Sequence, residues 1–402
     1  GAGRLRARGT LTMAALDGIR VIELTTMITG PLAGMLLADL GASVTKIENR
    51  EGGDPFRSFR GGRYSGHFIS YNRNKRSLTL DLRSPQGKEI FLTLARQADV
   101  LIDNFRPGVL DRLGFGDAIL RDANPRLIHA SITGFGASGP YRDRPSYDAV
   151  AQSLSGVLSQ FIDPEMPEVG GPTLSDNISG FYAAYGILGA LYERERTGKG
   201  RRIETSMLEA TIAFAPDGFI NHQRHGMKIG PRSRVSVSQS FAFRCGDGRL
   251  IAMHLSSQTK FWEGLVAALE RSDLLAHPDF ATREQRIANY RALWLEMGKT
   301  FATRPRDEWA ARLEAQDVPF APVLNVEEVP EDPQVRHLGT FYKVEHPTEG
   351  EVTGAHPPLL IDGERPSAIS PPPTLGEHTD EILAELGFDV AEAAELKAKK
   401  VV

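Results

Sequence analysis

A chain of 402 residues is long for one hydrophobic core and predicts two or three domains. Its 41% hydrophobic and 24% charged residues are those of an ordinary soluble globular protein, and a net charge of −4 leaves no global footprint for nucleic acid. The single cysteine, Cys245, excludes an internal disulfide and a cysteine-built zinc site and points to a reducing compartment. That compartment is read as cytoplasmic, with the mitochondrial matrix as the eukaryotic alternative. No apolar run is long enough to span a bilayer, so no membrane partner is expected.

The first twelve residues are Arg-rich and acid-poor and lack a secretory apolar core. Residues 1–13 therefore read as an expression tag or disordered leader before a start at Met13, although a trimmed mitochondrial presequence shares that character. From Leu16 the pattern alternates. Residues 19–24 (IRVIEL) predict a strand, Gly30-Pro31 opens a helix through Met35 and Leu40, and residues 42–47 (ASVTKI) predict the next strand. Further strands are expected at 78–82, 100–102 and 127–132, with a helix over 85–98. Such alternation predicts an α/β fold with parallel strands and crossover helices, a Rossmann-like doubly wound sheet. Ligands of these sheets sit beyond the carboxyl ends of the strands, which singles out the loops at 25–30, 48–53, 104–108 and 133–139.

One of those loops carries a misleading signal. GFGASG at 134–139 matches G-x-G-x-x-G after a strand, but a dinucleotide site needs a helix to open at once, and Pro140 and Pro145 bracket a charged run instead. Between residues 50 and 83, Arg57, Arg60, Arg63, Arg73, Lys75, Arg76 and Arg83 interleave with Phe56, Phe59, Tyr64 and Phe68. This region reads either as a solvated basic face or as a grip on a phosphorylated ligand, and single-stranded nucleic acid would use the same chemistry.

The run EVGGPTLSDNISG at 168–180 passes from a Gly- and Pro-rich loop into apolar residues at helical spacing, which places Asp176 at a helix start. An acid there is ordinarily a capping residue, favoured by the helix dipole. The helix is expected to run to about Arg196, followed by a strand at 203–206 and a polar linker at 226–235. Residues 236–320 predict a small α+β domain that opens with a hairpin turning near Asp247-Gly248, and Trp262, Trp294 and Trp309 are assigned to its core. The Pro-rich stretch 321–373, strand-like at 340–345, reads as an extended return arm, and 374–402 as terminal helices.

The runs LDGIRVIEL (16–24), Gly30-Pro31, LGASVTKIE (40–48), NRNKRS (72–77), NFRPG (104–108), NPRLI (124–128), TGKG (197–200) and LGEHT (375–379), in this order, resemble the family III CoA-transferases. That resemblance implies a Rossmann-like large domain assembled from both chain ends, comprising 14–225 and 374–402, with a small domain between and two subunits interlocked as rings. It further implies coenzyme A as co-substrate, acyl-CoA and carboxylic acid substrates, and no metal. The family's nucleophilic aspartate falls on Asp176. Its CoA contacts fall on Ile28, Thr29, Leu80, Arg83, Asn104, Phe105, Arg112, Thr133, Gly134 and Phe135, to which Arg106 and Asn49 are added. Some members carry Arg at the place of Asn49. Oxalate-specific members carry Gln where this chain has Ile28, and their glycine run in the small domain has no counterpart, which points away from oxalate as the preferred acceptor.

The implied reaction moves CoA from a succinyl-CoA-like donor to a small carboxylic or dicarboxylic acid through aspartyl anhydride and aspartyl-CoA thioester intermediates. Phe59, His67 and Tyr147 are assigned to the substrate pocket, with Arg57 or Arg60 as partners for a far carboxylate. A CoA-ester racemase shares the fold but pairs its aspartate with a histidine, where this chain has Tyr147, a side chain of too high an ordinary pKa for that base. A non-catalytic acyl-CoA binding protein is the rival from another class.

Overall fold

The computed structural model of the chain describes residues 14–62, 64–365 and 368–402; the leader read at 1–13 lies outside them, as does Arg63. Six short strands form one parallel sheet: β1 Arg20–Leu24, β2 Ser43–Glu48, β3 Lys75–Thr79, β4 Val100–Asp103, β5 Ile128–Thr133 and β6 Arg202–Ser206. Their order is β3-β2-β1-β4-β5-β6, so the direction of winding reverses between β1 and β4. That reversal is the switch point where ligands of open α/β sheets bind.

The connections carry α1 Thr29–Asp39, α2 Gly66–Tyr71, α3 Pro85–Gln97, α4 Val109–Leu113, α5 Asp117–Ala123, α6 Asp148–Leu154 and α7 Ser175–Thr197, and α8 Met207–Phe214 follows β6. Local chemistry sets their ends. Ser84 accepts the Gly87 N–H and Pro85 opens α3, while Gly198 in the left-handed region closes α7. Because side chains alternate along a strand, Val100 and Ile102 of β4 join the core beneath α1 and α7, and Leu101 joins the opposite one with Ile90 and Phe91 of α3. Each such fully buried side chain contributes about 1.5–3 kcal/mol. α7 meets α1 so closely that a Cβ on Gly180 would lie 2.6 Å from the Thr29 carbonyl oxygen. This contact sets the starts of the two helices side by side.

Helices α9 Pro216–His225 and α10 Ser233–Ser238 come next, and the polar stretch read as a linker leads from one into the other. A three-stranded antiparallel sheet then follows: β7 Ser240–Arg244, β8 Leu250–His254 and β9 Phe320–Pro322. It is packed by α11 Thr259–Leu269, α12 Arg283–Ala288, α13 Tyr290–Phe301 and α14 Arg306–Ala315, with α15 Pro333–His337 beyond. Phe243, Ile251, Trp262, Leu265, Phe301 and Trp309 form its core. Trp294 departs from expectation: it is partly exposed, with its indole N–H donating to the Ala242 carbonyl at 2.9 Å.

The stretch expected to be an extended arm holds a hairpin, β10 Phe341–His346 and β11 Gly350–Ala355. The chain ends in α16 Thr379–Glu385 and α17 Val390–Ala398. Their Ile382, Leu383 and Leu396, with Val401 and Val402, enter the same core as Ile22 and Leu78, and the Val401 carbonyl accepts the Asp81 N–H at 2.7 Å. A Rossmann-like unit is thus closed by the chain's last residues.

By compactness the chain divides into one unit of residues up to Ser155, Gly171–Ala215 and Thr340–Val402, and a second of Gly156–Gly170 and Pro216–Gly339. Among the described residues no helix is long and apolar enough to cross a membrane.

Candidate active site

The loop after β1 rests on buried charge. Lys46 of β2, with no solvent exposure, donates to Glu23 Oε1 at 2.9 Å and to the Thr25 carbonyl at 2.8 Å, and pairs with Asp54 Oδ2 at 3.0 Å. Burial disfavours its cation, but the Glu23 and Asp54 carboxylates outweigh that and raise its pKa. Asp54 also accepts the Met27 N–H at 3.1 and 3.2 Å, which holds Met27 at φ 67°. That left-handed conformation costs a non-glycine residue about 1–3 kcal/mol, so the loop keeps its shape only while Asp54 is held. Just after β4 the Asn104 amide accepts the Thr26 N–H at 3.1 Å and donates to the Thr26 carbonyl at 2.8 Å and Thr29 Oγ1 at 3.1 Å.

This network corrects the reading of the basic region. Arg57 is buried and forks onto Glu48 at 2.7 and 2.8 Å, Arg73 onto Asp39 at 2.6 and 2.9 Å, and Lys75 pairs with Glu23 at 2.8 Å. Arg76 meets Glu381 and Glu385 of α16. These cations brace strands and loops, because a buried charge is tolerated only when paired. Arg57 therefore has no fork to offer a substrate; Arg60 is exposed.

Asp176 lies in the first turn of α7, where its side chain makes no capping hydrogen bond; the cap position belongs to Leu174. The Asp176 N–H is taken by Asp148 Oδ1 of α6 at 3.2 Å. Burial, and after it the Asp148 charge, push the Asp176 carboxyl up to about 7. Around it the turn is pinned: Asn177 donates to Thr173 O at 2.7 Å, and the buried Ser175 hydroxyl accepts from Thr211 of α8 at 2.8 Å.

Asp176 lines a cavity of about 220 Å³ at the switch point, together with Ile28, Thr29, Asn104, Phe105, Arg106, Thr133, Gly134 and Tyr147. A second cavity of about 690 Å³, which shares Thr26 and Phe105 with the first, gathers Asn49, Leu80 and Arg83 with Arg50 and Lys400. Twelve of the sixteen sequence-selected residues thus meet in two adjoining cavities beyond the carboxyl ends of β1 to β5. Four do not. Arg112 is exposed on α4, Phe135 packs its ring on Tyr141 at 5.9 Å, and Phe59 and His67 form an aromatic cluster with Phe56.

Thr26, Met27, Arg142, Arg144, Ser146 and Met207 also line the first cavity and were missed. The arginines sit in the charged run that breaks the dinucleotide pattern, and their charge was the available signal; no helix opens after Gly134 until α6. Ser146 Oγ is buried without a hydrogen-bond partner. Tyr147 is 63% exposed, and His129 lies on β5, bonded to Asp103 at 2.8 Å and outside the Asp176 cavity. Among the described residues that line this cavity there is no histidine. Among the described residues no cluster of three His, Cys, Asp or Glu side chains could hold a metal ion.

A family model described as CoA-transferase family III matches residues 16–379. The formyl-CoA:oxalate CoA-transferase of Rhodopseudomonas palustris is 34% identical, across 95% of this chain and 96% of its own. The succinyl-CoA:glutarate CoA-transferase of Homo sapiens is 32% identical, across 96% of this chain and 90% of its own. A CaiB/BaiF family protein from Brucella suis has the same fold, with TM-score 0.82 and 32% identity over 93% of this chain and 100% of that one. Likeness of this extent in sequence and in fold reaches well past the cavity at the switch point, and this chain belongs to CoA-transferase family III.

Proposed function

We propose that the protein transfers CoA from a succinyl-CoA-like thioester to a small dicarboxylic acid, with Asp176 as nucleophile. The observation that carries this reading is a half-buried carboxyl at a helix start, in a cavity at the switch point, whose pKa of about 7 leaves it both ionised and basic near neutrality. Its carboxylate oxygen attacks the thioester carbon and expels CoA thiolate, leaving a mixed anhydride. The thiolate attacks the aspartyl carbonyl, which releases the first acid and forms an aspartyl-CoA thioester. The acceptor carboxylate then displaces the thiolate to give a second anhydride, and the thiolate takes the new acyl group and frees Asp176. The positive ends of α1 and α7 favour the charge that develops on the acyl oxygen.

The second cavity suits the nucleotide end of CoA, because Arg50, Arg83 and Lys400 offer cations for its phosphates. Arg106, Arg142 and Arg144 are our candidates for the far carboxylate, and Ser146 Oγ for a hydrogen bond to the ligand. The oxalate and glutarate named for the two relatives are both dicarboxylates, which supports that acceptor class.

Intact mass after brief mixing with succinyl-CoA tests the mechanism. A CoA-sized adduct, mapped to the Asp176 peptide and removed by hydroxylamine, is expected. No adduct, combined with solvent deuterium at an acyl α-carbon, would overturn it in favour of racemisation.

We also infer a homodimer. Phe181, Tyr185, Leu188 and Tyr192 are exposed at helical spacing along α7, an apolar stripe of a kind that monomers rarely leave in water. Light scattering is expected to give twice the chain mass of 44.0 kDa; a monomer at micromolar concentration would refute the dimer. The cytoplasm is the location we propose, on the single cysteine.

A further inference from the structure

The first turn of α7 is capped from another element. Leu174 has no side-chain acceptor to offer, and the Asp176 N–H goes instead to Asp148, the first residue of α6, 28 positions earlier. The other Asp148 oxygen accepts from Gln152 Nε2 at 2.5 Å, one turn further along α6, so the carboxylate is fixed at both ends. Asn or Ser would satisfy the same amide without a charge. An acid at this place sets two carboxyl groups against each other at one helix start, an arrangement that stability alone disfavours.

We propose that Asp148 is a positioning residue for the transfer reaction, fixing Asp176 through its backbone amide and keeping a second negative charge against the reacting carboxylate. The proposal rests on Asp176 being the nucleophile. A carboxylate made more basic by its neighbour attacks a thioester faster, in the manner of Brønsted behaviour, provided it is still ionised at working pH. Asp148 adds to burial in that direction. Besides Asp176, the charged or titratable groups lining the cavity are Arg106, Arg142, Arg144 and Tyr147; α1 and α8 present Thr29 and Met207, which do not titrate.

The test follows the rate of the Asp176 adduct with succinyl-CoA against pH for the wild type, Asp148→Asn and Asp148→Ala. The isosteric amide keeps an acceptor for the Asp176 N–H and removes the charge. Its acid limb is expected to move down by about one pH unit, and its plateau to fall roughly threefold with the less basic nucleophile. Asp148→Ala also strips the amide of its partner, and its plateau is expected to fall about tenfold further at the same displaced limb. The position of the limb does not depend on how much of a variant is folded. An unmoved limb in Asp148→Asn would reduce Asp148 to a cap and overturn the proposal, whatever the plateau does. Failure of the wild type to form any adduct would sink the transfer mechanism and this role together, which separates the two failures.

Discussion

Asp176→Asn is expected to lower transfer about 10⁴-fold or more while making the protein more stable at pH 8. The loss follows from removing the proposed nucleophile. The gain follows from linkage: a carboxyl held at about 7 in the folded chain, against an ordinary value of 3.8, binds its proton more tightly folded than unfolded. Between those values stability falls as pH rises, and above about 7 the ionised group costs up to about 4 kcal/mol, at about 1.4 kcal/mol per pH unit. The amide carries no such penalty. The stability difference between variant and wild type should therefore vanish near pH 4 and be largest at pH 8. Thermal melts at both pH values check this, and a variant no more stable than wild type at pH 8 would show that Asp176 is not strained by its surroundings. Opposite signs for activity and stability are the mark of a site shaped for chemistry.

Lys46→Met is expected to destabilise the fold by about 3–5 kcal/mol, because it leaves buried carboxylates without a cation. Glu23 keeps Lys75 as a partner at 2.8 Å, but Asp54 loses its only ion pair among the described residues, and the Thr25 carbonyl loses a donor. Asp54 is the group that holds Met27 at φ 67°, so the β1–α1 loop is expected to relax and the acyl-CoA KM to rise along with the loss of stability. Urea unfolding followed by far-UV ellipticity, with KM measured well below the unfolding transition, separates the two effects. A variant with wild-type stability would mean that the Glu23, Lys46 and Asp54 network contributes little, and a normal KM in a destabilised variant would detach the loop from it.

The same buried charges mark the limit of what could be read from the sequence. Strand β3 was placed at 78–82 by its leucines and lies at Lys75–Thr79, because Lys75 and Ser77 are buried there despite being polar. The arginines between residues 50 and 83 read either as a solvated face or as a ligand grip, yet Arg57 and Arg73 face inward onto Glu48 and Asp39. Hairpin β10–β11 was half seen, since strand β11 is rich in Gly, Glu and Thr and carries no apolar alternation.

Local periodicity by itself determined much of this protein. Short β-branched runs, helix-spaced apolar faces and Gly- or Pro-marked turns gave the parallel strands, the ligand-side loops and a helix starting at Asp176, because each depends on neighbours a few residues apart. Only the tertiary structure decided what those elements do to one another. It joined Val401 and Val402 to the core of β1, buried Lys46 between Glu23 and Asp54, and brought Asp148 against the amide of Asp176. Desolvation and charge act through space between residues that the chain keeps far apart, so the basicity of Asp176 is a property of the fold and is written in no single stretch of sequence.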